Sequence, residues 1–241
     1  MLSLRGVSRS FGGVRAVREV DLDVAEGQIL GLIGPNGAGK TTLFNLVTGV
    51  YRPSAGSIHF RDREITRMVP SNRCKLGIAR TFQLVRPFPR LSVLENVAIG
   101  RIYGRTPARS RRAAEAESEA ILDLVGLVDR PHVLAQQLTL VDRKRLELAR
   151  AMATAPTLLL LDELLAGLNP TEVLSAMELI RRLRANGTTI IMVEHLVKAV
   201  FGLSDRVVVL NAGAKIAEGS PAAVAADPAV VDAYLGVADD A

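Results

Sequence analysis

The spacing of apolar residues changes character along the chain and divides it into stretches of different architecture. From the N-terminus the apolar positions step in the manner of half-buried strands: Leu2/Leu4, Val14/Val17 and Val20-Asp21-Leu22-Asp23-Val24. Gln28-Ile29-Leu30-Gly31-Leu32-Ile33 is almost wholly apolar and reads as a buried strand, and Gly56-Ser57-Ile58-His59-Phe60 as a further one. From about residue 85 to 150 the pattern turns helical. Pro87, Pro89 and Pro107 and an Arg/Glu-rich stretch precede Ala120-Ile121-Leu122-Asp123-Leu124-Val125, which has a helical period. Two further apolar runs, Thr157–Leu161 and Thr188–Val193, enclose a helix expected from Pro170 to about Asn186. Strand, helix and strand in that order make a crossover and imply a parallel sheet. Val207–Leu210 and Lys215–Ala217 suggest a closing hairpin, with a C-terminal helix after it. The expected fold class is therefore α/β: a β-rich lobe, a mainly parallel sheet and a helical insertion.

Composition narrows the classes. With 241 residues, 49% of them hydrophobic, the chain can bury a full α/β core. Mean hydropathy is high at +0.24, yet the longest stretch without a charged residue, Gly27–Gly39, is thirteen residues, too short to span a bilayer. Met1–Arg5 carries no signal-peptide pattern. One cysteine, Cys74, excludes an internal disulfide and suits a reducing compartment. The net charge of +5 permits contact with an anionic membrane surface but demands no nucleic acid. The charge-segregated stretch Arg101–Arg112, followed by Glu115, Glu117 and Glu119, reads as a solvated helix more readily than as a lipid-headgroup contact.

The chemistry begins between the buried strand at 28–33 and the helix expected from Thr42. Gly34-Pro35-Asn36-Gly37-Ala38-Gly39-Lys40-Thr41 fits the phosphate-loop pattern G-x-x-x-x-G-K-[ST] at every fixed position. Glycines let backbone N–H groups turn toward a phosphate chain, and the N-terminus of the following helix adds a favourable dipole. Lys40 is then placed to reach the outer phosphates, the Thr41 hydroxyl to hold Mg2+, and Thr42 to continue the cradle. The pattern predicts a nucleoside triphosphate with Mg2+. Leu158–Leu161 ends in Asp162 and Glu163, so two carboxylates stand at the carboxyl edge of a parallel sheet, where phosphate ligands bind. Asp162 is expected to support Mg2+ through water, and Glu163 to polarise an attacking water.

With these residues in place the chain resembles the ATP-binding subunits of ABC transporters, nearly from end to end. The resemblance implies a P-loop NTPase fold with a β-rich nucleotide-binding lobe, a mainly parallel RecA-like sheet and a helical subdomain. It further implies one ATP-binding domain over 1–241, with 1–84 and 151–241 as its core and 85–150 as the helical part. Thr81-Phe82-Gln83, 43 residues after Lys40 at Gln83, is similar to the family's Q-loop and makes Gln83 a contact of Mg2+ and a sensor of the membrane partner. His195, 32 residues past Glu163, is similar to the switch histidine that touches the γ-phosphate. Ala166-Gly167-Leu168-Asn169 stands where the D-loop crosses the dimer, and Phe11 where an aromatic stacks on adenine; an ordinary core role is the rival reading for Phe11.

Two departures from the family stand out. The signature L-S-G-G-Q belongs 23 residues before Asp162 at its serine, and the residues there are Leu138-Thr139-Leu140-Val141-Asp142. Thr139 keeps a hydroxyl, but Leu140 and Val141 replace the two glycines whose N–H groups would approach the partner's γ-phosphate. Leu164 stands where the family usually has Pro. Among ABC proteins, Arg80-Thr81-Phe82-Gln83, Leu91–Val97, Ala166–Glu172, Ala217-Glu218-Gly219 and Ala233-Tyr234-Leu235-Gly236 are most similar to the ATPases of bacterial branched-chain amino-acid uptake systems. That resemblance implies hydrolysis of ATP with Mg2+ by Lys40, Glu163 and His195, membrane permease subunits as partners, and a periplasmic substrate-binding protein indirectly. It implies a second ABC ATPase subunit, in a heterodimer rather than a homodimer, no nucleic acid, and a peripheral place on the cytoplasmic face of the bacterial inner membrane. Urea or amide import, lipopolysaccharide or lipid export, a soluble ABC ATPase acting on DNA or the ribosome, and a non-hydrolysing nucleotide binder are the alternative readings.

Overall fold

The N-terminal alternation becomes a paired ribbon. In the computed structural model, which describes residues 1–82 and 87–235, β1 (Leu2–Phe11) and β2 (Val14–Val24) run antiparallel, Leu2 opposite Val24 and Leu4 opposite Leu22. Leu2, Leu4, Val7, Val17, Val20, Leu22 and Val24 face one core, each at most 2% exposed: period-two spacing aligns Leu2 with Leu4 and Val20 with Leu22 and Val24, and register shifts in the pairing carry the three-residue steps to Val7 and from Val17. β4 (Ala55–Phe60) and the short β5 (Arg63–Glu64) complete a four-stranded sheet in the order β2-β1-β4-β5.

The described residues divide into two compact units, those within 1–70 and 189–235, and those within 71–188. Beyond the antiparallel sheet, the first unit contains β3 (Ile29–Ile33), which lies between β8 (Thr189–Val193) and β9 (Arg206–Asn211) and is parallel to both. All five β3 residues are buried, as expected of a strand with parallel neighbours on either side, and its sequence is accordingly apolar without alternation. β10 (Ala214–Gly219) returns antiparallel to β9, the expected hairpin. Helix α1 (Lys40–Thr48) begins at Lys40, two residues before the expected start, because Gly39 at φ 100° serves as its N-cap. α7 (Val197–Leu203) had no periodic signal of its own, and the expected C-terminal helix is two short ones, α8 (Pro221–Ala225) and α9 (Pro228–Leu235).

The second unit pairs β6 (Ile78–Arg80) in parallel with β7 (Leu158–Asp162), Arg80 beside Leu160. β6 has three residues, too few to show any period in the sequence. Among its described residues are the α-helices α2 (Pro70–Leu76), α3 (Val93–Tyr103), α4 (Arg111–Val125), α5 (Leu140–Ala153) and α6 (Pro170–Ala185). Local chemistry sets their ends. Ser92 with Glu95, and Asn169 with Glu172, form capping boxes, and α4 stops at Gly126 in the left-handed region. α6 spans the expected residues, with Pro170 at its first turn.

Candidate nucleotide-binding and catalytic residues

In the first unit, β3 feeds directly into the phosphate loop, whose shape depends on two glycines. At Gly34, φ is 149° and a Cβ would lie 2.1 Å from the Leu210 carbonyl oxygen. At Gly39, φ is 100° and a Cβ would lie 2.4 Å from the Ala16 carbonyl oxygen. Neither position admits a side chain, so β9 and β2 fix the loop from outside. Lys40 is 8% exposed and turns back over the loop, donating to the carbonyls of Gly34 at 2.6 Å and Pro35 at 2.9 Å. Ala38 is buried, Asn36 and Gly37 are exposed, and Thr41 is exposed at the first turn of α1 with Thr42 half-buried beside it. A loop pinned at Gly34 and Gly39, with the Lys40 ammonium group folded over it and a helix N-terminus behind it, fits a phosphate chain.

Phe11 ends β1 and is 39% exposed, not a core residue. Its ring meets Tyr51 edge-on at 5.1 Å, and the Arg9 guanidinium lies 4.7 Å from its centroid. His195 is exposed in the bend between β8 and α7. Tyr234, on α9, hydrogen-bonds the Gly34 backbone; burial raises the phenol's pKa, and that bond offsets part of the rise.

In the second unit the parallel pair brings the carboxylates to one edge. Asp162 is 2% exposed, and its backbone N–H donates to the Thr81 hydroxyl at 3.0 Å. Its carboxylate accepts from Arg80 at 2.6 Å, with both side chains nearly inaccessible. Glu163 follows with φ at +51°, in the left-handed region that non-glycine residues rarely occupy. Lys144, 7% exposed on α5, donates to the carbonyls of Glu163, Leu164 and Ala166. One turn further on, the Glu147 carboxylate accepts from the backbone N–H of Phe82. Burial pushes Glu147 up to about 7, against the opposing pull of that N–H and of Arg150, Lys144 and Arg80. Thr81, Phe82, Lys144, Glu147, Asp162, Glu163 and Leu164 all line one small cleft.

The degenerate signature opens α5. Thr139 is the N-cap and accepts from the Asp142 N–H, while its hydroxyl lies 2.8 Å from the Asp142 carboxylate, which Arg130 also holds at 2.7 Å. Leu138 and Asp142 are buried, Val141 is half-buried and Leu140 is 54% exposed. Leu140 also borders the D-loop: a Cβ at Gly167 would touch it at 3.5 Å. The structure thus places the phosphate-loop residues together in one unit and Asp162, Glu163 and the signature together in the other. Gln83 lies outside the described residues.

The sequence alone does not mark Arg80, Lys144 and Glu147 as chemistry. Its one signal is a register anomaly: Lys144 and Glu147 occupy the face of α5 shared by Leu148 and Ala151, where apolar residues belong. Two charges buried on an apolar face need partners, and here the partners are backbone groups around the candidate catalytic carboxylate.

Comparison with known proteins places these features in a family. The model of the ABC transporter family matches residues 17–166. A second model, described as branched-chain amino acid ATP-binding cassette transporter, matches residues 214–240. The high-affinity branched-chain amino acid transport ATP-binding protein LivG of Salmonella typhimurium is 42% identical over 99% of this chain and 98% of its own length. BraF of Pseudomonas aeruginosa, of the same description, is 39% identical with the same coverage. Among solved structures, the ADP conformation of an ATP-binding cassette of an ABC transporter superposes with a TM-score of 0.88 at 30% identity, covering 98% of both chains.

Proposed function

The chain belongs to the ABC transporter family as an ATP-hydrolysing ATP-binding subunit, and on that premise we propose that it powers a branched-chain amino acid importer. What carries the substrate class is the near full-length similarity to LivG and BraF, together with the separate match over residues 214–240. The whole chain acts as one cassette, with 85–150 as its helical subdomain.

Each proposed role joins the chemistry of the residue to the place it takes in the family's motifs. Lys40 neutralises the β- and γ-phosphates within a loop whose N–H groups cradle them. Phe11 offers its exposed ring to adenine. Glu163 orients and polarises the attacking water, and His195 contacts the γ-phosphate. Among the described residues no group of three or more His, Cys, Asp or Glu could hold a metal by itself. Thr41, Asp162 and Gln83 would supply the protein's ligands to Mg2+, directly or through water, and the ion would there supply neutralisation of charge on the phosphates.

The partners are permease subunits, a second and different ABC ATPase, and, through the permease, a periplasmic binding protein. No described helix is long and apolar enough to cross a membrane. Docking on the permease at the cytoplasmic face is part of the proposed assembly. In the assembled transporter, Glu163→Gln is expected to bind ATP but hydrolyse it at least about 100-fold more slowly. Lys40→Ala is expected to weaken nucleotide binding itself. Near-normal turnover by Glu163→Gln refutes the assignment of the base. Copurification with permeases of another cargo refutes the substrate class.

A further inference from the structure

We propose that Lys144 is a positioning residue for ATP hydrolysis: its ammonium group clamps the backbone that aims Glu163 and ties that backbone to the signature helix. The inference rests on the reading of Glu163 as the group that polarises water.

Three observations converge on it. Glu163 has a left-handed backbone, φ +51°, which an L side chain adopts only where its surroundings hold it. The carbonyls of Glu163, Leu164 and Ala166 turn toward one point, and the Lys144 ammonium occupies that point, at 3.2 Å from the first and 2.8 Å from the second. An ammonium group carries N–H donors in three directions and no acceptor, which suits a cage of carbonyl oxygens. The third observation is burial. Lys144 is 7% exposed, and a lysine is rarely withdrawn from water to this degree unless its charge is compensated. Leu164 sharpens the argument. A proline there would stiffen the turn after Glu163 by its ring; with Leu the turn lacks that restraint, and the clamp from α5 restrains it instead.

The same side chain links two functional segments of one chain. α5 runs from Leu140 with Thr139 as its cap, so Lys144 sits just over one turn into the helix, two residues past the signature. Ala166, which it also holds, begins the D-loop, whose Gly167 borders Leu140. A shift of the signature end of α5 therefore moves the donor that holds Glu163. One turn on, Glu147 ties the same helix to the Phe82 N–H.

The test compares Lys144→Met, Lys144→Arg, Glu163→Gln and the double variant Lys144→Met/Glu163→Gln in the assembled transporter. Steady-state and single-turnover ATPase rates are measured alongside ATP affinity. Lys144→Met is expected to lower kcat at least about tenfold, since sub-ångström misplacement of a reacting group is costly, with ATP KM and affinity changed less than about threefold. Lys144→Arg, which keeps charge and donors, is expected to recover most of the loss. In the Glu163→Gln background, Lys144→Met should cost little more in single turnover, because the group it positions is already gone. Normal kcat in Lys144→Met, a loss confined to KM, or a full multiplicative loss in the double variant overturns the proposal. If Lys144→Met does not assemble, Lys144→Gln is read by the same criteria. Should Glu163→Gln alone hydrolyse ATP normally, the base assignment fails; should it be inactive while Lys144→Met is normal, only the clamp fails.

Discussion

A methyl group at Gly34 would lie 2.1 Å from a backbone carbonyl of β9, whereas one at Gly37 would meet nothing within 4 Å. The two glycines share a motif but not a reason. Gly34 is required by a backbone neighbour that cannot rotate away, and Gly37 only by its φ of 77°. Gly34→Ala is therefore expected to lower thermal stability by about 2 kcal/mol or more and ATP affinity at least about tenfold. Gly37→Ala should cost about 1 kcal/mol, the ordinary penalty of a left-handed alanine. Thermal unfolding and nucleotide titration of both variants decide the matter, and equal losses would show that loop sterics act differently.

Helix α5 is where sequence and tertiary chemistry meet. Its cap, its apolar face and its length are ordinary, but Lys144 and Glu147 turn its buried face into a connector between the signature, Glu163 and the residue before Gln83. Glu147 makes that connector sensitive to pH. Burial moves its carboxyl from 4.5 to about 7, so the folded protein keeps a proton that the unfolded chain releases near 4.5. The stability this contributes is whole below pH 4.5 and is lost as pH rises to about 7, on the order of 3 kcal/mol across the window. Glu147→Gln keeps an acceptor for the Phe82 N–H and removes the ionisation. Urea unfolding between pH 5 and 7.5 is expected to show a flatter profile for that variant. Parallel profiles for variant and parent would remove Glu147 as the cause.

At the scale of the whole molecule, Leu140 is exposed and Val141 half-buried, and on the proposed function they replace the two glycines that a family signature would turn toward a partner's γ-phosphate. Thr139, meanwhile, is engaged with Asp142 as a helix cap. On that proposal the signature serves its own helix well and offers an opposite nucleotide little. In the proposed heterodimer, productive hydrolysis pairs Lys40 and Glu163 of this chain with the signature of the other ATPase. Thr139→Asn enlarges the side chain while keeping a good cap. It should leave turnover of the complex within about twofold, whereas the matching change in the partner's signature should cost tenfold or more, as loss of a transition-state contact does. Equal losses, or full activity from a homodimer of this chain, would sink the asymmetric arrangement.

What the sequence by itself determined follows from local rules. The loop from Gly34 to Thr41, the buried strands at 29–33 and 189–193, the carboxylates ending Leu158–Asp162 and the capped helix from Pro170 are short-range patterns, legible because their spacing is their physics. Membership of the family followed from them. Only the tertiary structure decided the rest. β6 is too short to carry a period, yet it brings Arg80 to Asp162 across 82 positions of chain. Lys144 reaches Glu163 across 19 positions, and Glu147 reaches Phe82 across 65. A charge on a buried helical face shows in the sequence only that it must be compensated. Which backbone carbonyls or amide compensate it is settled by packing, because backbone groups are identical at every residue and leave no mark in the sequence.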